Sequence, residues 1–116
     1  MAMRIINAFV RPERLSRVVE ALYALRGFPG VTIVHAQGFG RSGPGNAGEQ
    51  TDEVGLLAPH AKLEIQCPSW LERQVVQSIE SSARTGATGD GRITVFTEDY
   101  SIQIDAGNDE PPEASA

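Results

Sequence analysis

The chain has 116 residues, which allows one domain rather than two. Hydrophobic residues make up 41% and charged residues 22%, so the chain is not globally disordered. A net charge of −5 excludes a protein that coats nucleic acid.

The charge is unevenly placed, because Asp109, Glu110 and Glu113 sit in a terminal stretch that carries no base. Cys67 is the only cysteine, which excludes an internal disulfide framework and fits a reducing, cytoplasmic compartment. No apolar run approaches the ~18 residues needed to cross a bilayer, and Arg11, Glu13 and Arg14 interrupt any signal-peptide core.

Taken in chain order, residues 4–10 read as a first strand. Pro12 then suits the first turn of a helix, where its missing N–H costs nothing. Leu15, Val18, Val19, Leu22 and Leu25 follow at helical spacing, and Gly27, Pro29 and Gly30 stop the helix. Val31 to Ala36 reads as a second strand running toward Gly38-Phe39-Gly40. Residues 41–59 lose all pattern, and a structureless loop of that length inside a small domain points to function.

Residues 61–67 alternate, with Ala61, Leu63, Ile65 and Cys67 on one face and Lys62, Glu64 and Gln66 on the other, as in a strand with one buried face. Ser69 followed by Glu72 has the spacing of a capping box. Leu71, Val75, Val76, Ile79 and Ala83 then give the apolar face of a second helix. Gly86, Gly89 and Gly91 break it, Arg92 to Phe96 reads as a fourth strand, and Ser101 to Asp105 as a short fifth, with Ile102 and Ile104 alternating.

Two βαβ units in this order point to an α+β, ferredoxin-like βαββαβ sandwich with both helices on one face of an antiparallel sheet. The other face then carries apolar groups without cover and calls for a partner subunit.

The segment Thr85-Gly86-Ala87-Thr88-Gly89-Asp90-Gly91-Arg92 joins helix to strand. Three glycines within it let the backbone approach a ligand and present successive N–H groups, a nest suited to phosphate, and Arg92 adds a positive fork. This segment closely resembles the C-terminal signature of the PII signalling proteins. Arg11-Pro12 with Leu15, Gly30-Val31-Thr32, Gly38-Phe39-Gly40-Arg41 and Lys62-Leu63-Glu64-Ile65 resemble further family motifs in the same order.

The resemblance covers about residues 4–107. It implies a homotrimeric PII-like domain over residues 1–107, a T-loop at about 41–60 and an acidic, disordered tail over 108–116. It implies a signal carrier, not an enzyme, that binds an adenine nucleotide in each intersubunit cleft and regulates a membrane transporter or an enzyme through the T-loop. By the same resemblance, Thr32 and Gln66 lie near adenine, and Phe9, Gly38 and Glu64 near the ribose. Gly40 and Arg41, with Gly89, Asp90, Gly91 and Arg92 across the interface, surround the phosphates, and Phe39, Thr85, Gly86 and Gln103 complete the implied nucleotide-binding set.

Three positions depart from the family. Ser42 stands where the family has a glutamine that binds Mg²⁺ and 2-oxoglutarate, so no metal is expected. The T-loop contains no tyrosine to uridylylate. Gln103 and Asp105 replace two arginines that hold the outer phosphates. At an effective dielectric near 20, like charges ~5 Å apart repel by about 3 kcal/mol before screening, which disfavours ATP relative to ADP or AMP.

These departures resemble the carboxysome- and bicarbonate-transport-associated branch, and they imply a small anion such as bicarbonate as second ligand. The alternative is a trimeric CutA-like protein that binds metal or serves as a scaffold without nucleotide. His35, His60 and Cys67 lack metal-ligand spacing, however, and Cys67 reads as core.

Overall fold

A computed structural model describes residues 2–38 and 58–105. Strand β1 (Met3–Val10) leads through a 3-10 turn at Pro12–Arg14 into helix α1 (Leu15–Tyr23). Strands β2 (Thr32–Gly38) and β3 (Ala58–Pro68) follow. A second 3-10 turn at Ser69–Leu71 opens helix α2 (Glu72–Ala83), and β4 (Gly91–Thr97) completes the sheet. The strand order is β2-β3-β1-β4 and every neighbouring pair is antiparallel, the expected ferredoxin-like arrangement.

The core follows from the two periodicities. Ile6, Ala8 and Val10 of β1 face the helices, in register with Ile65, Leu63 and Ala61 of β3, and all six are at most 2% exposed. Val18 and Leu22 of α1 and Leu71, Val75, Ile79 and Ala83 along α2 recur every four residues and close over them. Each large side chain buried this way contributes about 1.5–3 kcal/mol relative to exposure. Cys67 belongs to the same cluster, and its burial pushes the thiol pKa up.

Three local expectations are corrected. The capping box at Ser69 does not form. Pro68 holds the extended position before the 3-10 turn, so Ser69 is already inside it and its side chain caps nothing. Its backbone N–H donates to the Ala2 carbonyl at 2.9 Å, and Glu72 instead pairs with Arg4 of β1 at 2.9 Å.

Ala58–His60, expected at the end of the long loop, belong to β3 and pair with Gly38–Ala36. β1 has ended opposite Ala61, so this stretch is paired on one side only, the setting in which a strand tolerates Pro59. The remainder of that loop, and the acidic tail, lie outside the described residues.

The fifth strand is also absent. Residues 101–105 form no ladder, and Ile104 is 94% exposed. The alternation of Ile102 and Ile104 needs an adjacent strand edge. β1 is already flanked by β3 and β4, and the Glu98 N–H to Met3 carbonyl bond carries the chain past the end of the sheet.

The register puts Ile5, Asn7 and Phe9 of β1 on the uncovered face with Thr32, Val34 and Ala36 of β2, Lys62, Glu64 and Gln66 of β3, and Arg92, Thr94 and Phe96 of β4. Phe9, Val34 and Phe96 are the expected apolar groups there, and they are substantially exposed. β3 contributes a polar row between them.

The start of β4 requires glycine. Gly91 has φ +132°, and a Cβ there would lie 1.8 Å from the Phe9 carbonyl oxygen. Gly91→Ala is therefore expected to cost about 3 kcal/mol or more. Gly86→Ala, at φ +92° with nothing within 4 Å of the added atom, is expected to cost only about 1–2 kcal/mol of backbone strain. Thermal melting of the two variants checks the difference.

Candidate functional site

Helix α2 ends where Arg84 turns to an extended backbone, φ −71° and ψ 130°. Its last carbonyls are capped from another element. The Arg14 guanidinium donates from Nε and Nη2 to the Ser82 carbonyl at 3.2 and 3.0 Å.

Beyond this cap, residues 85–90 fold around the Asp90 carboxylate. Asp90 accepts from the Thr85 N–H at 2.7 Å, the Gly86 N–H at 2.9 Å and the Thr85 hydroxyl. The Ala87 N–H in turn donates to the Thr85 hydroxyl oxygen at 3.2 Å. Arg11, the residue after β1, donates from Nε to Asp90 at 3.0 Å and from Nη2 to the Thr88 carbonyl at 2.8 Å.

The glycine segment thus holds an anion of its own. The N–H groups of Thr85 and Gly86, read from the sequence as part of an open phosphate nest, are engaged by Asp90. The Thr85 hydroxyl, and with it the two N–H groups and Arg11, keeps Asp90 well below the usual carboxylate range.

A cleft of about 350 Å³ opens beside this loop, between α2 and the start of β4. Its floor includes Val10, Val76, Ile79 and Ile93, and Glu80, Arg84, Asp90 and Arg92 give it charge. Arg92 is exposed on the open sheet face, directly opposite Phe9. On the other side of Phe9 stands Lys62, whose Nζ lies 5.9 Å from the ring centroid and 2.9 Å from Glu64. The His60 ring meets Phe9 edge-on at 6.5 Å.

Thr32, Glu64 and Gln66 come together elsewhere. Thr32 is in register with Glu64, and all three line a depression of about 690 Å³ with Asn7, Glu98 and Ser101. Gln66 donates its amide N–H to the Glu98 carboxylate. Asn7 Oδ1 is buried there and has no hydrogen-bond donor among the described residues.

Asn7, Glu98 and Ser101 carry no sequence signal for this site. Asn7 sits inside an apolar strand, and the other two follow β4 without a motif. Their common position emerges only when the end of β4 meets the open face. Gln103 lies in the exposed segment just beyond.

The two groups stand apart. Thr32 and Gly38 are on β2, one edge of the sheet, and Arg92 opens β4, the other edge. Three strand spacings separate those edges, about 14 Å. Phe39, Gly40 and Arg41 lie outside the described residues.

Among the described residues, no three His, Cys, Asp or Glu side chains form a group able to hold a metal ion. No described helix is long and apolar enough to cross a membrane.

The family model for nitrogen regulatory protein P-II matches residues 3–105. This chain belongs to the P-II family. It is 36% identical to the nitrogen regulatory protein P-II of Rhizobium etli over 106 residues, covering 90% of this chain and 94% of that protein. It is 33% identical to P-II 1 of Escherichia coli strain K12 over 109 residues, covering 93% and 96%.

The solved structure of Arabidopsis thaliana PII bound to citrate superposes with a TM-score of 0.72 at 29% identity, covering 92% of this chain and 87% of that one. P-II proteins are regulatory signalling proteins that typically bind nucleotides. The family match runs through Asp105, so it takes in the glycine loop, the open face and the segment that follows β4.

The Asp90 network sets a pH expectation. Its folded pKa is depressed, so its contribution to the loop is complete above the ordinary Asp value of about 3.9 and disappears only as pH falls through the lower folded value. The Thr85 and Gly86 amide resonances are therefore expected to hold their positions from about pH 7 to about pH 4. Movement of both amides near an ordinary carboxylate pKa would show that Asp90 is not so held.

Proposed function

We propose that this chain is a cytoplasmic, homotrimeric P-II signal carrier that binds ADP or AMP in preference to ATP and responds to a small anion such as bicarbonate. The nucleotide sits between two copies, its base toward Thr32 and Gln66 and its ribose toward Glu64 of one, and its phosphate end toward Gly89, Asp90, Gly91 and Arg92 of the next. Phe9, Gly38 and the Gly40-Arg41 segment complete the ribose and phosphate contacts.

The observation that carries this reading is the separation of these residues on opposite edges of one sheet. No single chain brings β2 and β4 together, whereas a neighbour packed on the uncovered face joins one edge to the next. Phe9, Val34 and Phe96, exposed in the single chain, give that contact its apolar part. Asn7 Oδ1, buried without a donor among the described residues, is placed to gain one from the neighbour or the ligand.

The preference for fewer phosphates rests on charge. Asp105 and Gln103 supply no cation where the family resemblance implies arginines, and Asp90 spends its own charge on Arg11 and the loop. The bound nucleotide sets the state of the loop between β2 and β3, and that loop docks on a transporter or an enzyme. The signal is passed by binding alone, with no covalent step.

Calorimetry with ATP, ADP and AMP, each with and without bicarbonate, tests the reading. ADP or AMP is expected to bind tightest, with affinity altered by bicarbonate. Tightest binding of ATP with no effect of bicarbonate would overturn the specificity, and no binding of any adenine nucleotide would overturn the whole reading. The double variant Gln103→Arg with Asp105→Arg is expected to raise ATP affinity relative to ADP by about tenfold or more, an effect that shrinks with added salt.

A further inference from the structure

We propose that Arg11 is a positioning residue for the phosphate end of this site, acting through the shape and charge of the glycine loop rather than by touching the ligand. The inference rests on the nucleotide reading above and goes beyond it.

Arg11 stands 79 residues from Asp90 in the chain and is fixed by the end of β1, where Val10 pairs with Gly91. Its fork makes two different bonds to the loop, from Nε to the Asp90 carboxylate and from Nη2 to the Thr88 carbonyl. It is also packed on the loop backbone, since a Cβ built on Gly89 would lie 3.4 Å from Nη2. The guanidinium is therefore matched to a loop that passes close to it at Gly89.

Two consequences follow for an anion at this loop. The first is shape. Gly86, Gly89 and Gly91 all have positive φ, so the segment is built from residues that would otherwise sample many conformations. Arg11 ties its middle, at Thr88, to its end, at Asp90, and so holds the approach to Arg92 in one geometry. The second is charge. With Arg11 paired to it, Asp90 is neutralised. Without that partner, the carboxylate would stand uncompensated next to an incoming phosphate.

Lysine would keep the charge but has no planar fork, so it can serve Asp90 or the Thr88 carbonyl with poorer geometry for both.

The test compares ADP with adenosine, which lacks phosphate, by calorimetry on the full chain, together with ligand-free melting and oligomer size. Arg11→Ala is expected to weaken ADP by about tenfold or more. Adenosine affinity and oligomer size are expected to stay as in the wild type. Arg11→Lys is expected to recover part of the ADP affinity.

Equal ADP affinity in Arg11→Ala and wild type would overturn the inference and leave the nucleotide reading standing. Equal loss of ADP and adenosine would overturn it too, because that pattern marks a general structural role. If Arg11→Ala does not fold, the same comparison is made with Arg11→Gln and Asp90→Asn, which remove the ion pair while retaining polar side chains. A wild-type protein that binds adenosine and ADP equally would overturn the phosphate-end assignment, and one that binds neither would overturn the nucleotide reading and this inference together.

Discussion

Both helices pack on the same face of a four-stranded antiparallel sheet, and the rest of the molecule depends on that one-sidedness. Ile6, Ala8 and Val10 can be fully buried because the alternation of β1 matches that of β3 and both turn their small and branched side chains toward α1 and α2. The same alternation sends Ile5, Asn7 and Phe9 to the other side, where no described helix packs and Phe9 stays exposed. The described residues form two layers, helices on sheet. The uncovered face, and the separation of β2 from β4 at the two edges, keep the two groups of candidate residues apart within one chain.

The loop between α2 and β4 meets a different constraint. A run of glycines is a poor way to fix a backbone, because each residue loses much conformational freedom on ordering. This chain compensates with charge. Asp90 gathers the Thr85 hydroxyl and two N–H groups, and Arg11 closes the arrangement from the end of β1. Arg14 does similar work one turn away by capping α2 through the Ser82 carbonyl. The strand-to-helix junction at residues 11–14 therefore organises a segment that lies at the far end of the sequence.

Much of this was legible in the residues. Period-two alternation in residues 61–67 and four-residue recurrence in Leu71, Val75, Ile79 and Ala83 are direct consequences of one-sided burial, so the elements and the core could be read from them. The glycines at 86, 89 and 91 marked a special backbone, and all three have positive φ. Readings that relied on a local motif without its setting fared less well. Ser69 and Glu72 have capping-box spacing, but Pro68 starts the turn one residue earlier and Arg4 claims the glutamate. Ile102 and Ile104 alternate as a strand would, but the chain passes the end of the sheet and pairs them with neither edge strand. Ala58–His60 have little strand character of their own and are strand because β2 continues far enough to pair with them.

By itself the sequence determined the order of elements, the inward faces, the glycine segment and the family motifs, because these rest on spacing along the chain and on side-chain chemistry. Only the tertiary structure decided what those parts do to one another. It decided that Asp90 fills part of the nest that the glycines create, that Arg11 rather than Arg92 is bonded to the loop, and that Asn7, Glu98 and Ser101 join Thr32 and Gln66 around one depression. Each of these depends on strand register and on where β4 ends against β1. Register is set by burial across the whole sheet, and no local stretch of residues records it.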